Sequence, residues 1–511
     1  MNIRRREWLL GLAAKVAAAE RLVKPAAAPV PGIIEIGSVR QPLLDDYLIH
    51  EASKINPFVP RPTKYAKNPI LVEDRDWERG ALYGDTHGVE ITGQTAIYDE
   101  DEKIFKIWYL GNPWPDQRRP LCLAVSHDGY TWEKPNVGVY EYKGSKKNNI
   151  LGDWADPQFF NVIKDPRDPD PARRYKAMGE LEGPVANQTG GVAVAFSPDG
   201  LHWTLHPGNP VVRHGRNVAD APTMLGWDPR IERFVGFYRP GHPLAPEIYG
   251  TGDHRHIRSY GYSTSADFIH WTPTELMMTP DQEDRGDYQY MQFTAGIHGQ
   301  FYIGFNAMYE THEQTWDVFL MSSRDGFHWN WLDRKVPFLG RGEVGTYDAG
   351  YMTPSGPIVH KGQAWIYYGA FAGAHSYNAS KLGKDIMSIA LCTLPENRWM
   401  GLLAGPSRGT LVTRPLLFKG NRLFLDLDAS LSMQKPEPPK RRFDECELRG
   451  ALEDQSGGRI DGFSLDRSTV IVSSGEQELA WEGARVGQLA GKPVRLRLEY
   501  RNAAVYSFQF R

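Results

Sequence analysis

At 511 residues the chain is too long for one ordinary small core; it allows two to four compact units, or one large repeat-built domain with an addition. With 41% apolar and 24% charged residues the bulk cannot be disordered, and a net charge of −3 without a long basic run argues against a nucleic-acid partner. The 51 glycines, 37 prolines and 12% aromatic residues point to an all-β fold rich in turns and rings.

The first elements are read as targeting. Arg5-Arg6-Glu7-Trp8-Leu9 resembles a twin-arginine export signal, with paired arginines ahead of an apolar pair, and Ala26-Ala27-Ala28 offers small residues for cleavage. Residues 1–30 are therefore expected to be an export signal and the protein periplasmic or secreted. No later stretch reaches the roughly 18 apolar residues of a membrane span. Cys122, Cys392 and Cys446 lie too far apart in sequence for a disulfide framework or a zinc site.

Further on, a repeat sets the architecture. Ser126-His-Asp-Gly-Tyr-Thr-Trp132 recurs as Ser197-Pro-Asp-Gly-Leu-His-Trp203, Ser265-Ala-Asp-Phe-Ile-His-Trp271 and Ser323-Arg-Asp-Gly-Phe-His-Trp329, with a degraded copy ending at Trp399. The tryptophans stand 71, 68, 58 and 70 residues apart. Asp-Gly supplies a tight turn, so Asp128, Asp199 and Asp325 are turn formers, and the Trp packs between repeats. Three strand-like runs precede each Trp and one follows. This pattern predicts a five-bladed β-propeller over residues 33–404, with Ile33–Ile49 as a candidate ring-closing strand. Beyond it, short alternating runs over residues 405–511 predict a C-terminal β-sandwich.

In such a propeller the innermost strands all start at one funnel mouth. An aspartate stands ahead of each predicted inner strand: Asp85, Asp156, Asp220, Asp287 and Asp348. Five acids in phase are expected to line the funnel. The loops between second and third strands open at the same end. They offer Trp114 and Arg118, Glu180 and Asn187, His242, Glu247, His254, Arg255, His256 and Arg258, Glu310, His312 and Trp316, and His375 and Tyr377. Trp114 and Trp316 could stack on sugar faces or pack between blades. The His254–Arg258 cluster could hold a carboxylate or phosphate or belong to a solvated loop. His87, His254 and His256 with nearby aspartates could form a metal site.

With these motifs in place the chain resembles the five-bladed β-propeller glycosidases, the superfamily of invertases and fructosidases, arabinanases and xylosidases. Gly84-Asp85-Thr86-His87-Gly88 is similar to their first acidic motif, Ala155-Asp156-Pro157 to the Asp-Pro of the second, and Asp220-Ala221-Pro222 to the acid-x-Pro of the third, with Asp in place of Glu. The resemblance implies an exported glycoside hydrolase with a carbohydrate substrate. In it Asp85 would be nucleophile or base and Asp156 stabiliser, with Asp220 first choice as general acid and Glu343 or Glu180 as substitutes. His87, Trp114, Glu180, His254, Arg255, His256, Arg258, Asp287, Trp316, Asp348 and His375 would contact substrate. No cofactor is expected to be required, although a calcium ion could sit in the funnel or in a structural site. A glycoside phosphorylase and a non-catalytic sugar-binding propeller are the competing readings.

Overall fold

The computed structural model describes residues 32–79, 87–112, 119–154, 158–181, 191–213, 222–239, 258–284, 286–375, 386–429 and 446–511. Strands dominate them, interrupted only by four 3₁₀ segments of three or four residues, so the chain is all-β as composition and turn content predict.

Each repeat folds into an antiparallel sheet in which strands follow one another in chain order. The second unit pairs Gln158–Lys164, Tyr175–Leu181, Gly191–Ser197 and Thr204–Leu205. The third pairs Thr223–Asp228, Arg233–Tyr238, Tyr260–Ser265 and Glu275–Met278. The fourth pairs Tyr288–His298, Phe301–Glu310, Thr315–Ser323 and Asn330–Trp331. In the first unit Ile104–Gly111 pairs with both His87–Glu90 and Ala96–Asp99, then Arg119–Ser126 and Ile150–Trp154 follow outward. The fifth runs from Tyr351–Pro354 through Gln363–Phe371 to Ile386–Pro395.

The strand that completes the fifth unit is not the expected one. Thr63–Lys64 pairs with Cys392 and Thr393, whereas Ile34–Gly37 lies parallel to Leu416–Phe418 in a C-terminal sheet. The Lys64 ammonium fastens this join, reaching the buried Asp348 carboxylate at 2.6 Å and the Gly340 carbonyl at 2.7 Å.

First strands of successive units meet in a closed ring. The Asn161 side chain accepts from the Gln94 amide at 3.0 Å and the Met224 amide at 3.2 Å, and donates to the Pro222 carbonyl at 2.6 Å, so one buried amide stitches units one, two and three. The Thr223 hydroxyl donates to the Phe293 carbonyl. Thr294 donates to the Pro354 carbonyl at 3.1 Å, and Thr353 to the Ile91 carbonyl at 2.5 Å, which returns to unit one. All four side chains are buried, where an unpaired polar group is costly, so the bonds fix which unit neighbours which.

The repeated turn is built as its sequence implies. Asp199 Oδ1 accepts from the amides of Leu201 and His202, Ser197 Oγ from that of Gly200, and the Trp203 indole closes the turn on the Gly200 carbonyl at 3.1 Å. Gly129, Gly200 and Gly326 hold φ of +79°, +77° and +78° there, which glycine adopts without steric cost. In the third copy Phe268 takes this place at φ +69°, and its fully buried ring packs on Phe234 and Trp271. Phe268→Gly should relieve about 1–2 kcal/mol of backbone strain but forfeit about 3–5 kcal/mol of packing. The expected net loss of about 2 kcal/mol would be read as a lower denaturant midpoint; a gain in stability would show that the strain dominates.

Between units one and two, Asp99 is buried among Lys106, Lys164 and Tyr175, at 3.0, 2.6 and 2.8 Å. Burial alone would raise its carboxyl, but hydrogen bonds from Lys164, Lys106 and Tyr175 outweigh it and hold Asp99 well below the usual range. A carboxyl depressed by folding adds stability above its unfolded pKa, about 3.9, and that stability drains away as pH falls toward the folded value. The melting temperature should therefore fall more steeply below about pH 4 in the parent chain than in Asp99→Asn, which is checked by thermal scans from pH 7 to pH 3.

The remaining strands make two six-stranded sheets. Val494–Arg501 alternates buried and half-buried side chains, as a half-buried antiparallel strand must. Leu411, Leu448, Leu498 and Tyr500 from one sheet join Leu425, Val505 and Phe508 from the other in a common core. Residues outside 405–511 also enter these sheets: Ile49–Ser53 pairs with Gly409–Thr413, and Ile55–Phe58 with Gly401–Ala404. Strand pairing thus crosses the boundary expected at 404/405.

Candidate functional site

The five innermost strands begin at Gln158, Thr223, Tyr288, Tyr351 and, in the first unit, His87. The predicted acids Asp85, Asp156, Asp220, Asp287 and Asp348 precede these starts by one to three residues in sequence. Asp85, Asp156 and Asp220 themselves lie outside the described residues, as do Trp114, His254, Arg255 and His256. His87 is described in its backbone only.

The backbone at His87 explains one feature of its motif. His87 and Gly88 run parallel to Ile386 and Met387, at the seam between first and fifth units. Gly88 has φ +133°, and a Cβ there would stand 2.0 Å from the Met387 carbonyl oxygen. The glycine three residues after Asp85 in sequence therefore permits the close approach of the His87–Gly88 backbone to Met387 at the seam.

The described candidates divide into three groups. Asp287, Glu180, Arg258 and His375 are half-buried at the ends of strands that open on the mouth. Arg258 donates to Gln289 Oε1 at 2.8 Å and lies 5.1 Å from the centre of the Tyr309 ring; burial pushes that phenol's pKa up. The His375 amide bonds the Gln314 carbonyl at 2.8 Å, and its ring lies 5.5 Å from Trp316. Glu343 is exposed in the turn before Asp348, where its carbonyl accepts from Thr346.

Two candidates are used by the framework instead. Asp348 is 2% exposed and committed to Lys64, with the Tyr347 and Tyr368 hydroxyls close by, so it fastens the ring where contact with substrate was expected. Trp316 is 3% exposed; its ring lies 3.9 Å from that of Tyr351 and its indole donates to the Met352 carbonyl at 2.7 Å. That face is taken by protein and cannot stack on a sugar. The reason is common to both: the entrance to the fifth unit is where the ring must be sealed.

Sequence reading missed two features. Glu90, in the first inner strand, receives Arg119 at 2.5 Å, and Arg119 also donates to the Gly111 carbonyl at 3.2 Å. This pair pins the first and third strands of unit one beside the mouth. The other is a pocket of about 320 Å³ on the fourth unit, lined by Asp287, Glu310, Glu313, Thr315, Asp317 and Arg341 among others. Its walls come from three separate segments, though the Asp317–Thr315–Glu313 alternation across a strand start was a readable signal. Among the described residues, no group of three His, Cys, Asp or Glu side chains converges as a metal site would require.

No family model and no curated protein matches the chain. Among solved structures it is similar to a member of a family 130 group described as mannoside phosphorylases that contain glycoside hydrolases targeting β-1,2 mannosidic linkages in Candida mannan. That likeness has 12% identity and a TM-score of 0.41 over 65% of this chain and 94% of the other. It is also similar to a glycosyl hydrolase from Bacteroides ovatus, at 12% identity and TM-score 0.39 over 65% and 93%. A third is Zg3597, a family 117 glycoside hydrolase of Zobellia galactanivorans, at 12% identity and TM-score 0.37 over 67% and 91%.

Proposed function

We propose that the chain is an exported glycoside hydrolase, a five-bladed β-propeller with a C-terminal β-sandwich, that cleaves oligo- or polysaccharides at the funnel mouth. The observation that supports this reading is the phase of the acids: each stands one to three residues ahead of a first strand in sequence, and the first strands are bonded into a ring. Convergence of the acids on one opening is part of the proposal. Glycoside cleavage needs that convergence. One carboxylate must attack the anomeric carbon or activate water while a second protonates the departing oxygen, and the oxocarbenium-like transition state is steadied by further negative charge. Asp85 takes the first role, Asp156 the stabilising one and Asp220 that of the acid, with Glu180 the described carboxylate best placed to substitute. Glu343, exposed in its turn, is the weaker substitute.

The test is a product screen of the purified chain against glycans and aryl glycosides, with and without inorganic phosphate. Reducing sugar released without phosphate is expected. Release only with phosphate would make the enzyme a phosphorylase, and binding without release would leave a recognition propeller.

A further inference from the structure

The geometry points to a subsite on the fourth unit that takes a sugar residue carrying a positively charged amino group; we infer this on the premise of the proposed carbohydrate-active mouth. Among the described residues, four carboxylates, of Asp287, Glu310, Glu313 and Asp317, line the pocket with one guanidinium, that of Arg341, and one imidazole, that of His312, whose Nε2 lies 4.0 Å from Glu313 Oε1. Arg341 is spoken for, with its amide on Asp317 Oδ1 at 2.7 Å and its Nε 3.5 Å from Oδ2. Glu310 shapes the turn, accepting the amides of His312 and Glu313 at 3.0 and 2.6 Å. The surplus is negative, which disfavours a uronate or phosphate at this place and favours a cation.

A second observation points to a ligand rather than to a merely solvated acidic rim. Thr315 lines the same pocket, is 3% exposed, and its hydroxyl has no hydrogen-bond partner among the described residues. A buried hydroxyl left unpaired is unfavourable, and an incoming hydroxyl or amino group would relieve it. The volume, about 320 Å³, suits one pyranose ring with attendant water. The acids do not converge on one point as a divalent ion demands, so the cation is one that spreads its hydrogen bonds, as an ammonium on a ring does.

The experiment titrates the full chain with glucosamine, glucose and glucuronate at pH 6 by calorimetry or ligand-observed NMR, then repeats the series on Glu313→Gln and Thr315→Val. Glucosamine is expected to bind about tenfold tighter than glucose, with glucuronate weakest and the preference reduced by salt. Glu313→Gln should narrow the glucosamine-to-glucose ratio, and Thr315→Val should weaken both sugars. Equal affinity for the two, tighter glucuronate, or no binding of any would overturn the inference. The two proposals fail separately: glucosamine binding without turnover of any glycan removes the hydrolase alone, and turnover of neutral glycans without amine preference removes this subsite alone.

Discussion

Asp85→Asn and Asp156→Asn are each expected to lower kcat by roughly three orders of magnitude or more, with the melting temperature of the parent chain retained. An amide has nearly the carboxylate's shape but neither its nucleophilicity nor its charge, so a site that works through charge loses its chemistry and keeps its outline. Among the described residues, the bonds that join the first strands into a ring run through Asn161, Thr223, Thr294 and Thr353. Turnover near that of the parent chain in either variant would remove that residue from the catalytic set. Asp348→Asn is the contrast, because Asp348 is tied to Lys64, and its loss should appear first in stability.

Glu78→Ala should cost about 3–5 kcal/mol of stability. Glu78 is fully buried in the segment leading to the mouth; it takes the Tyr109 hydroxyl at 2.6 Å, the amides of Asp74 and Arg75 at 3.0 and 3.1 Å, and Lys134 at 2.8 Å. Removing it leaves the buried Tyr109 phenol and the Asp74 and Arg75 amides without their acceptor. It also takes one of two carboxylates from Lys134, which keeps Asp74 at 2.6 Å and the Val72 carbonyl at 2.8 Å. An apolar pair in place of Glu78 and Lys134 removes the buried ion pair and leaves only the half-exposed Asp74 without its cation. Glu78→Leu with Lys134→Met should accordingly recover much of the loss, measured as denaturant midpoints of the two single variants and the pair. If the double variant is no better than Glu78→Ala, the backbone amides of Asp74 and Arg75 carry the stabilisation instead.

The repeated architecture was legible because its signal is local: Ser, Asp, Gly and Trp within seven residues build one turn from hydrogen bonds among themselves. The strand starts behind the predicted acids could be read for a related reason, since phase relative to a strand survives in the sequence even where the strand's partners do not. Asp85, Asp156 and Asp220 themselves lie outside the described residues, and Asp348 belongs to the framework. Ring closure was not. Thr63–Lys64 is a two-residue strand without apolar alternation, and its fastening to Asp348 spans 284 residues of sequence. Ile34–Gly37 has the more strand-like composition and was the natural choice, but tertiary pairing with Leu416–Phe418 claims it. Trp316 admitted both readings in sequence; its ring packs on Tyr351 at 3.9 Å and also borders the pocket of the fourth unit. The pocket was hidden because Asp287, Thr315 and Arg341 meet only after three segments fold together.

The order in which these partners come into existence has a kinetic consequence. On a ribosome, residues 34–64 are finished while the strands they pair with, from Ile386–Pro395 to Ala503–Phe510, are still unmade. For most of synthesis the early segment must wait with its edges unpaired, while the middle three sheets can already form from neighbours in the chain. Closure is therefore a late, long-range event: slow by topology and exposed to misassociation until the last strand arrives. A nascent chain of this design favours a cell that shields its leading end, and in the test tube refolding should be limited by the meeting of the two ends rather than by the repeats between them.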